Sequence, residues 1–343
     1  MNPEAANRLE QAIQKTLSTH AKNDKSFLWM AYWVIFEREA DPDGLKGWLE
    51  QLKSGVSRST VIQRMMQSTE FQQLHPSGTE FLPGTAQRVL VELPKFKIYA
   101  MTNDTAVGQP IIIGKTWETH VTNAIAQHLT PGDVFLDIGA NIGYFTLLAA
   151  SIVQDGGKVI SFEPNPENLQ LLYSSIVENQ FKNITVYPFA ASDFQQMLGL
   201  ATGGSNGHVV DVSFFAQRTY IVQSIIVDEW LQHEKQINVI KIDIEGHEPF
   251  AIRGMDKLIK KHKPIIFTEF HPYNLRSNNK TEPQEYLKQL AEYGYRLSII
   301  QGVEEGGKIT EAPDINFVIN FCQELAEKLN CDQMLLDLMA LPS

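Results

Sequence analysis

The stretch "VFLDIGANIGYF" (134–145) decides the fold. An apolar run ends at Asp137 and Ile138, glycines follow at 139 and 143, and apolar residues resume. This pattern predicts a buried strand over 134–138, a tight turn, and a helix over 142–153, the layout that holds a nucleotide in many α/β proteins. A dinucleotide pyrophosphate needs bare backbone at the centre of such a turn and an open helix N-terminus. Asn141 stands where the second glycine would be and obstructs that approach. The turn suits a ligand with an amino acid end and a ribose, gripped by backbone groups of Gly139 and Ala140 and by the Asn141 side chain.

Outward from this turn, strands and helices alternate. "RVLVELPKFKIYAM" (88–101) reads as a hairpin and "WETHVTNAIAQHL" (117–129) as a helix. Strands follow at 158–162, 184–189, 237–243 and 264–270, with helices at 166–179, 249–260 and 283–292 and a short one near 228–233. That rhythm implies a mostly parallel sheet with helices on both faces. Strands at 295–300 and 315–320 are joined too closely for a crossover helix and predict an antiparallel edge hairpin. The tail over 321–343 reads as an amphipathic helix, and within a β-rich insertion (about 197–227) the glycine-rich stretch 197–215 is a candidate substrate loop. Ahead of all this, Trp29, Trp33, Phe36 and Trp48 at helical spacing predict a small helical unit over 1–75, tied on by a linker at 76–87.

The second strand ends at Glu163, where a carboxylate can accept hydrogen bonds from both ribose hydroxyls, a feature common to NAD and S-adenosylmethionine enzymes. "FAASD" (189–193) puts Asp193 and the Ala191 backbone where an adenine amino group is read. Acids and imidazoles then concentrate in "IDIEGHE" (242–248) and "EFHP" (269–272). Asp243, at the tip of a buried apolar strand, needs a partner or a job. Glu248, before Pro249, reads as a helix cap.

Together "FLDIGANIGYFTLLAA", "VISFEPNPENLQLL", "ASD", "VIKIDIEGHEPFAIRG" and "IIFTEFHP" resemble the FkbM family of S-adenosylmethionine-dependent methyltransferases over about residues 96–320. The order and spacing of the motifs are more specific than any one of them. The resemblance implies a class I methyltransferase fold, a Rossmann-like seven-stranded sheet with an antiparallel edge hairpin, over 88–320. It implies O-methylation of a hydroxyl on a sugar, glycan or secondary metabolite. On those grounds Asp137, Gly139, Ala140, Asn141, Gly143, Glu163, Ala191, Asp193 and Asp243 are cofactor residues, and Trp117 and Glu118 match a family feature that closes over the methionine end. Residues 25–72, through "FERE-ADPDGL-GW" and "STEF", resemble a small bacterial helical domain related in pattern to phycobilisome linker repeats, which implies a docking role.

Methyl transfer to a hydroxyl gains from a general base beside the methyl group. Asp243 is expected near the methyl, with His271 or His247 taking the proton and Glu269 or Glu245 orienting the imidazole. Alternatively, the same carboxylates and imidazoles hold Mg²⁺ and lower the pKa of the hydroxyl. Two other readings are an NAD-dependent oxidoreductase and an adaptor that docks through the N-terminal unit.

The composition sets bounds. At 343 residues, 43% hydrophobic and 20% charged, the chain has the make-up of a globular protein. No apolar stretch is long enough to span a bilayer, and a net charge of −11 argues against a nucleic-acid binder. Cys322 and Cys331 form no disulfide framework or metal spacing. With no secretory signal in "MNPEAANRLEQAIQK", the expectation is a cytoplasmic enzyme with a small-molecule or glycan acceptor. The N-terminal unit or the C-terminal helix is then the surface for a protein partner or homodimer.

Overall fold

The computed structural model describes residues 24–36, 40–66, 68–70, 88–203, 205–210, 219–302, 308–331 and 333–343. The expected linker at 76–87 and the side chains of Trp29 and Trp33 lie outside the described residues. The chain divides into two compact units, Met1–Val89 with Met101–Lys115, and Leu90–Ala100 with Thr116–Ser343.

In the first unit, helices α1 (Asp24–Phe36), α2 (Pro42–Lys53) and α3 (Arg58–Met66) share an apolar cluster of Phe27, Leu28, Ile35, Val61, Ile62 and Met65. Asp41 caps α2 by accepting from the Gly44 N–H at 2.7 Å, and Pro42 at the first helical position has no N–H to orphan. Strands β1 (Arg88–Glu92) and β2 (Lys97–Met101) form the expected hairpin, and α4 (Gly108–Gly114) follows.

The second unit continues with α5 (Thr119–His128), β3 (Val134–Ile138), α6 (Tyr144–Val153), β4 (Lys158–Phe162), α7 (Pro166–Asn179) and β5 (Ile184–Tyr187). An insertion follows, β6 (Ala190–Ser192), β7 (Met197–Gly203), β8 (Asn206–Val210) and β9 (Thr219–Ile226). Then come α8 (Val227–Trp230), β10 (Val239–Ile242), α9 (Glu248–Gly254), α10 (Asp256–His262), β11 (Ile265–Phe270), α11 (Pro272–Asn279), α12 (Pro283–Glu292) and β12 (Tyr295–Ile300). β13 (Ile309–Glu311), α13 (Ile315–Leu329) and β14 (Leu336–Pro342) close the chain.

The main sheet has eight strands in the order β13-β12-β14-β11-β10-β3-β4-β5, one more than expected because short β13 joins the edge. From β11 to β5 neighbouring strands are parallel. Chain order reverses between β3 and β10, so a crevice for ligands opens at the carboxyl ends there. The insertion makes its own four-stranded sheet, β6-β9-β7-β8.

The C-terminal region departs from expectation twice. Residues 315–320 are helical, not an edge strand. Val318, Cys322 and Leu325 fall buried at helical spacing, and the Asp314 side chain caps the helix by accepting from the Phe317 N–H at 2.9 Å. The expected terminal helix over 321–343 is the rest of α13 followed by strand β14. β14 runs antiparallel between β11 and β12 and bonds to both, so its short apolar run is a central strand buried on both sides. The antiparallel edge pair is instead β12 with β13.

Candidate active site

The turn after β3 is built from left-handed residues: Gly139 (φ 85°), Asn141 (φ 52°) and Gly143 (φ 98°). Glycine at 139 is required by packing as well as by φ. A Cβ there would lie 2.1 Å from the Asp243 carbonyl oxygen, which brings this turn directly against the end of β10. A Cβ at 143 would meet Leu172 at 2.3 Å.

Of the backbone groups expected to grip the ligand, the Gly139 and Ala140 N–H groups are already engaged, both donating to the Phe162 carbonyl at 2.9 and 3.0 Å. Asn141 is also committed: its N–H donates to Glu163 Oε2 at 2.7 Å and its Oδ1 accepts from the Ile142 N–H at 2.7 Å. Its Nδ2 donates to Asn206 Oδ1 at 3.2 Å, tying the turn to the insertion. Glu163 is buried at the tip of β4, and its Oε1 accepts from the Asn165 N–H at 2.8 Å. Burial raises its carboxyl to about 7, against the pull of those backbone donors.

Asp137 does not reach the crevice. It is fully buried, and its Oδ2 accepts from Thr146 Oγ1 at 2.6 Å, so it braces α6. Asp193 is paired with Arg253 Nε at 2.6 Å, while its buried Oδ1 has no partner among the described residues. The Ala191 side chain is buried in the main core.

The ends of β10, β11 and β14 gather a different chemistry. Asp243 Oδ2 accepts from Lys241 Nζ at 2.9 Å, and that buried ammonium also sits 4.7 Å from the centre of the Phe145 ring. Burial works to lower the Lys241 pKa, but the carboxylates of Asp243, Glu118 and Asp137 outweigh it and hold the ammonium charged. Around this cation, Glu118 is held well above the usual carboxylate range by burial and by Asp337. Glu269 is likewise raised, by burial and by Asp243, Glu245, Glu248 and Asp337, and its Oε2 is buried without a partner among the described residues. Glu245 stands at about 7 through burial and the neighbouring Asp243 and Glu248; its Oε2 accepts from Asn274 Nδ2 at 2.7 Å.

The histidines separate into two roles. His247 has both ring nitrogens engaged. It is buried, its Nε2 pairs with Ser192 Oγ at 3.0 Å, its Nδ1 pairs with Asn279 Oδ1 at 3.0 Å, and its ring stacks on Phe250. Burial lowers its pKa, and the residue locks the turn. His271 keeps a buried Nδ1 with no partner among the described residues. Glu248 does not cap the helix as expected: His247 is the N-cap residue, and Glu248, at the first helical position, turns back so that its Oε1 accepts from the Ile244 and Gly246 N–H groups of the preceding turn at 3.0 and 3.1 Å.

Three residues of this end were not anticipated. Lys241 had a signal, a lone lysine inside the apolar strand "NVIKIDI". Asp337, opposite Glu269 across the β11–β14 pair, was hidden by the reading of its segment as a helix. His120 joins it, with Nε2 2.6 Å from Asp337 Oδ2. Trp117 sits beside Glu118 ahead of α5, its carbonyl accepting from Thr122 Oγ1 at 2.7 Å. Among the described residues no group of three or more His, Cys, Asp or Glu side chains is placed to hold a metal ion. No described helix is long and apolar enough to cross a membrane.

Comparison with known proteins adds the following. Residues 137–297 match the model of the methyltransferase FkbM domain, and residues 11–75 match a domain of unknown function, DUF4214, a match that makes no link to phycobilisome linkers. The hexuronic acid methyltransferase AglP of Haloferax volcanii is 25% identical over 179 residues, covering 51% of this chain and 68% of that protein. Among solved structures, methyltransferase FkbM from Methylobacillus flagellatus aligns with a TM-score of 0.37 at 15% identity, covering 83% of this chain and 58% of that one. Aeropyrum pernix fibrillarin, solved with bound S-adenosyl-L-methionine, aligns at 0.38 and 9% identity, covering 77% and 85%. Over residues 137–297 the chain is therefore similar to the methyltransferase FkbM domain.

Proposed function

We propose that this chain transfers a methyl group from S-adenosylmethionine to a hydroxyl of a sugar, glycan or secondary metabolite. The observation that carries the reading is the set of carboxylates, Glu118, Asp243, Glu245, Glu269 and Asp337, around a single lysine at the strand ends, with Asp243 against the Gly139 turn. These carboxyl oxygens can accept from the ammonium of a methionine-like end, while the only cation beside them among the described residues, Lys241, is already paired with Asp243 and leaves nothing to hold a pyrophosphate. Together with Asn141, this disfavours the dinucleotide alternative. The buried, unpartnered Glu269 Oε2 and His271 Nδ1 fit a site that expects polar company. The relative that acts on hexuronic acid supports a sugar acceptor.

Glu163 and the Asn141 turn would hold the ribose side, and Glu118 and Asp243 the cationic methionine end. S-adenosylmethionine, when bound, supplies a methyl already activated on sulfur, so the chain's tasks are alignment, water exclusion and proton removal. Lys241 fixes the Asp243 carboxylate in one orientation. Glu245, poised at about 7, would accept the hydroxyl proton as the methyl passes from sulfur to the acceptor oxygen, the C–S bond breaking as the C–O bond forms and S-adenosylhomocysteine leaving. Calorimetric titration tests the reading: S-adenosylmethionine is expected to bind and NAD not to. Binding of NAD alone, or of neither, would sink it.

A further inference from the structure

A cleft of about 520 Å³ opens between the β7–β8 hairpin, the Glu245 turn and helix α11. Its size is that of a small-molecule site, for which about 300–1,000 Å³ is usual. We infer that this cleft is the acceptor subsite and that it takes a neutral, hydroxyl-rich glycosyl group while rejecting a uronate. The inference rests on the methyl-transfer reading for the word acceptor; the ligand chemistry comes from the walls.

Those walls are amides, hydroxyls and one aromatic ring. Asn206 and Thr202 face it from the hairpin, and Asn274 and Asn278 from α11. The amides are pinned at one end by the protein. Asn206 Oδ1 accepts from Asn141, Asn274 Nδ2 donates to Glu245 Oε2 at 2.7 Å, and Asn278 Nδ2 donates to the Glu245 carbonyl at 2.9 Å. That leaves a donor on Asn206 and an acceptor on Asn274, the mixed set that sugar hydroxyls satisfy, since each hydroxyl both donates and accepts. Tyr273 lines the same cleft with 49% of its surface exposed, an apolar ring face with a polar tip. Such a ring packs against the C–H face of a pyranose while its hydroxyl stays wet.

Charge supplies the discrimination. No lysine or arginine lines the cleft among the described residues, and the one histidine there, His208, has its pKa lowered by burial. The acid in the wall is Glu245, beside Asp243. A uronate carboxylate would enter without a cationic partner among the described residues and against the Glu245 carboxyl, a mismatch that disfavours binding. The cleft is thus built for a different acceptor from the one in the name of the Haloferax volcanii relative. Its contact with Asn141 through Asn206, and with the proposed base Glu245, places it beside the donor turn.

The test is saturation-transfer NMR on the full chain with matched methyl glycosides and glycuronides of glucose, galactose and mannose. At least one neutral glycoside is expected to receive saturation about tenfold more strongly than its uronide. Tyr273→Ala is expected to remove that signal, and Ser277→Arg, at an exposed cleft position, to raise the uronide signal. Uronides binding as well as the neutral set, saturation of none of the neutral glycosides, or an unchanged signal in a folded Tyr273→Ala protein would each overturn the inference. Thermal melting establishes that the variants fold. Calorimetry with S-adenosylmethionine on the same samples separates the two readings. Lost cofactor binding with neutral-glycoside saturation intact defeats methyl transfer and leaves the sugar cleft, whereas cofactor binding without glycoside saturation defeats the cleft alone.

Discussion

Two sides of one crevice are built on opposite principles. On the β3–β4 side, the Gly139–Gly143 turn is closed by its own hydrogen bonds. Phe162 receives two N–H groups, Glu163 receives the N–H groups of Asn141 and Asn165, and Asp137 is locked to Thr146. On the β10–β11–β14 side, carboxylates crowd one lysine, and polar atoms of Glu269 and His271 are buried without partners among the described residues. Both walls keep buried atoms without partners among the described residues, Asp137 Oδ1 and Asn165 Nδ2 on the first and Glu269 Oε2 and His271 Nδ1 on the second, but only the second crowds its acids around a cation.

The comparison can be broken by substitutions on either wall. Asp243→Asn should have the largest effect. Transfer is expected to fall by at least about 10³-fold, roughly 4 kcal/mol, and S-adenosylmethionine affinity to fall with it. Retained turnover in a labelled-methyl assay would remove Asp243 from the chemistry. Gly139→Ala, on the closed wall, should act on folding instead. A methyl 2.1 Å from a backbone oxygen at φ 85° should cost about 3 kcal/mol in chemical unfolding. Unaltered stability would show that the turn gives way easily.

Glu163 makes the closed wall sensitive to pH. Its folded pKa of about 7 lies above the unfolded value, so between pH 4.5 and 7 the unfolded chain releases the proton first. This group's contribution is therefore fully present below 4.5 and lost as pH rises through 7, by about 3 kcal/mol. Glu163→Gln should flatten that part of the stability profile, measured as melting temperature against pH; an identical slope in both proteins would refute the assignment. Glu245→Gln should lower kcat about 10²-fold, near 2.7 kcal/mol, and remove the ionisation near pH 7 above which the wild-type rate reaches its plateau. A persisting limb near pH 7 would move the proton to another group.

Much of the donor side was legible in the residues themselves. The bounds of β3, β4, α7, α12 and β12 follow from apolar runs, proline starts and caps within a few residues, and so did the antiparallel character of the edge. Glu248 was readable as a local structural residue because its partners lie two and four residues away, although they belong to the preceding turn and not to the helix. The contacts of His247 are not legible in the sequence because both of its partners are distant, Ser192 in β6 and Asn279 at the end of α11. Lys241 was visible yet passed over, since a lone cation in a strand has no reading until the carboxylates around it are placed.

The sequence by itself determined the strand–turn–helix at 134–153, the position of Asn141 that disfavours a pyrophosphate, and the acidic character of "IDIEGHE" and "EFHP". Tertiary structure decided which acids meet. "LLDLMALP" is too short an apolar run to tell helix from strand by period. Only the open slot between β11 and β12, with backbone groups to satisfy on both sides, makes it a strand and carries Asp337 to Glu269 and His120. Local order is encoded over a few residues, whereas the charges that define this site come from segments more than 200 residues apart, His120 and Asp337 being separated by 217.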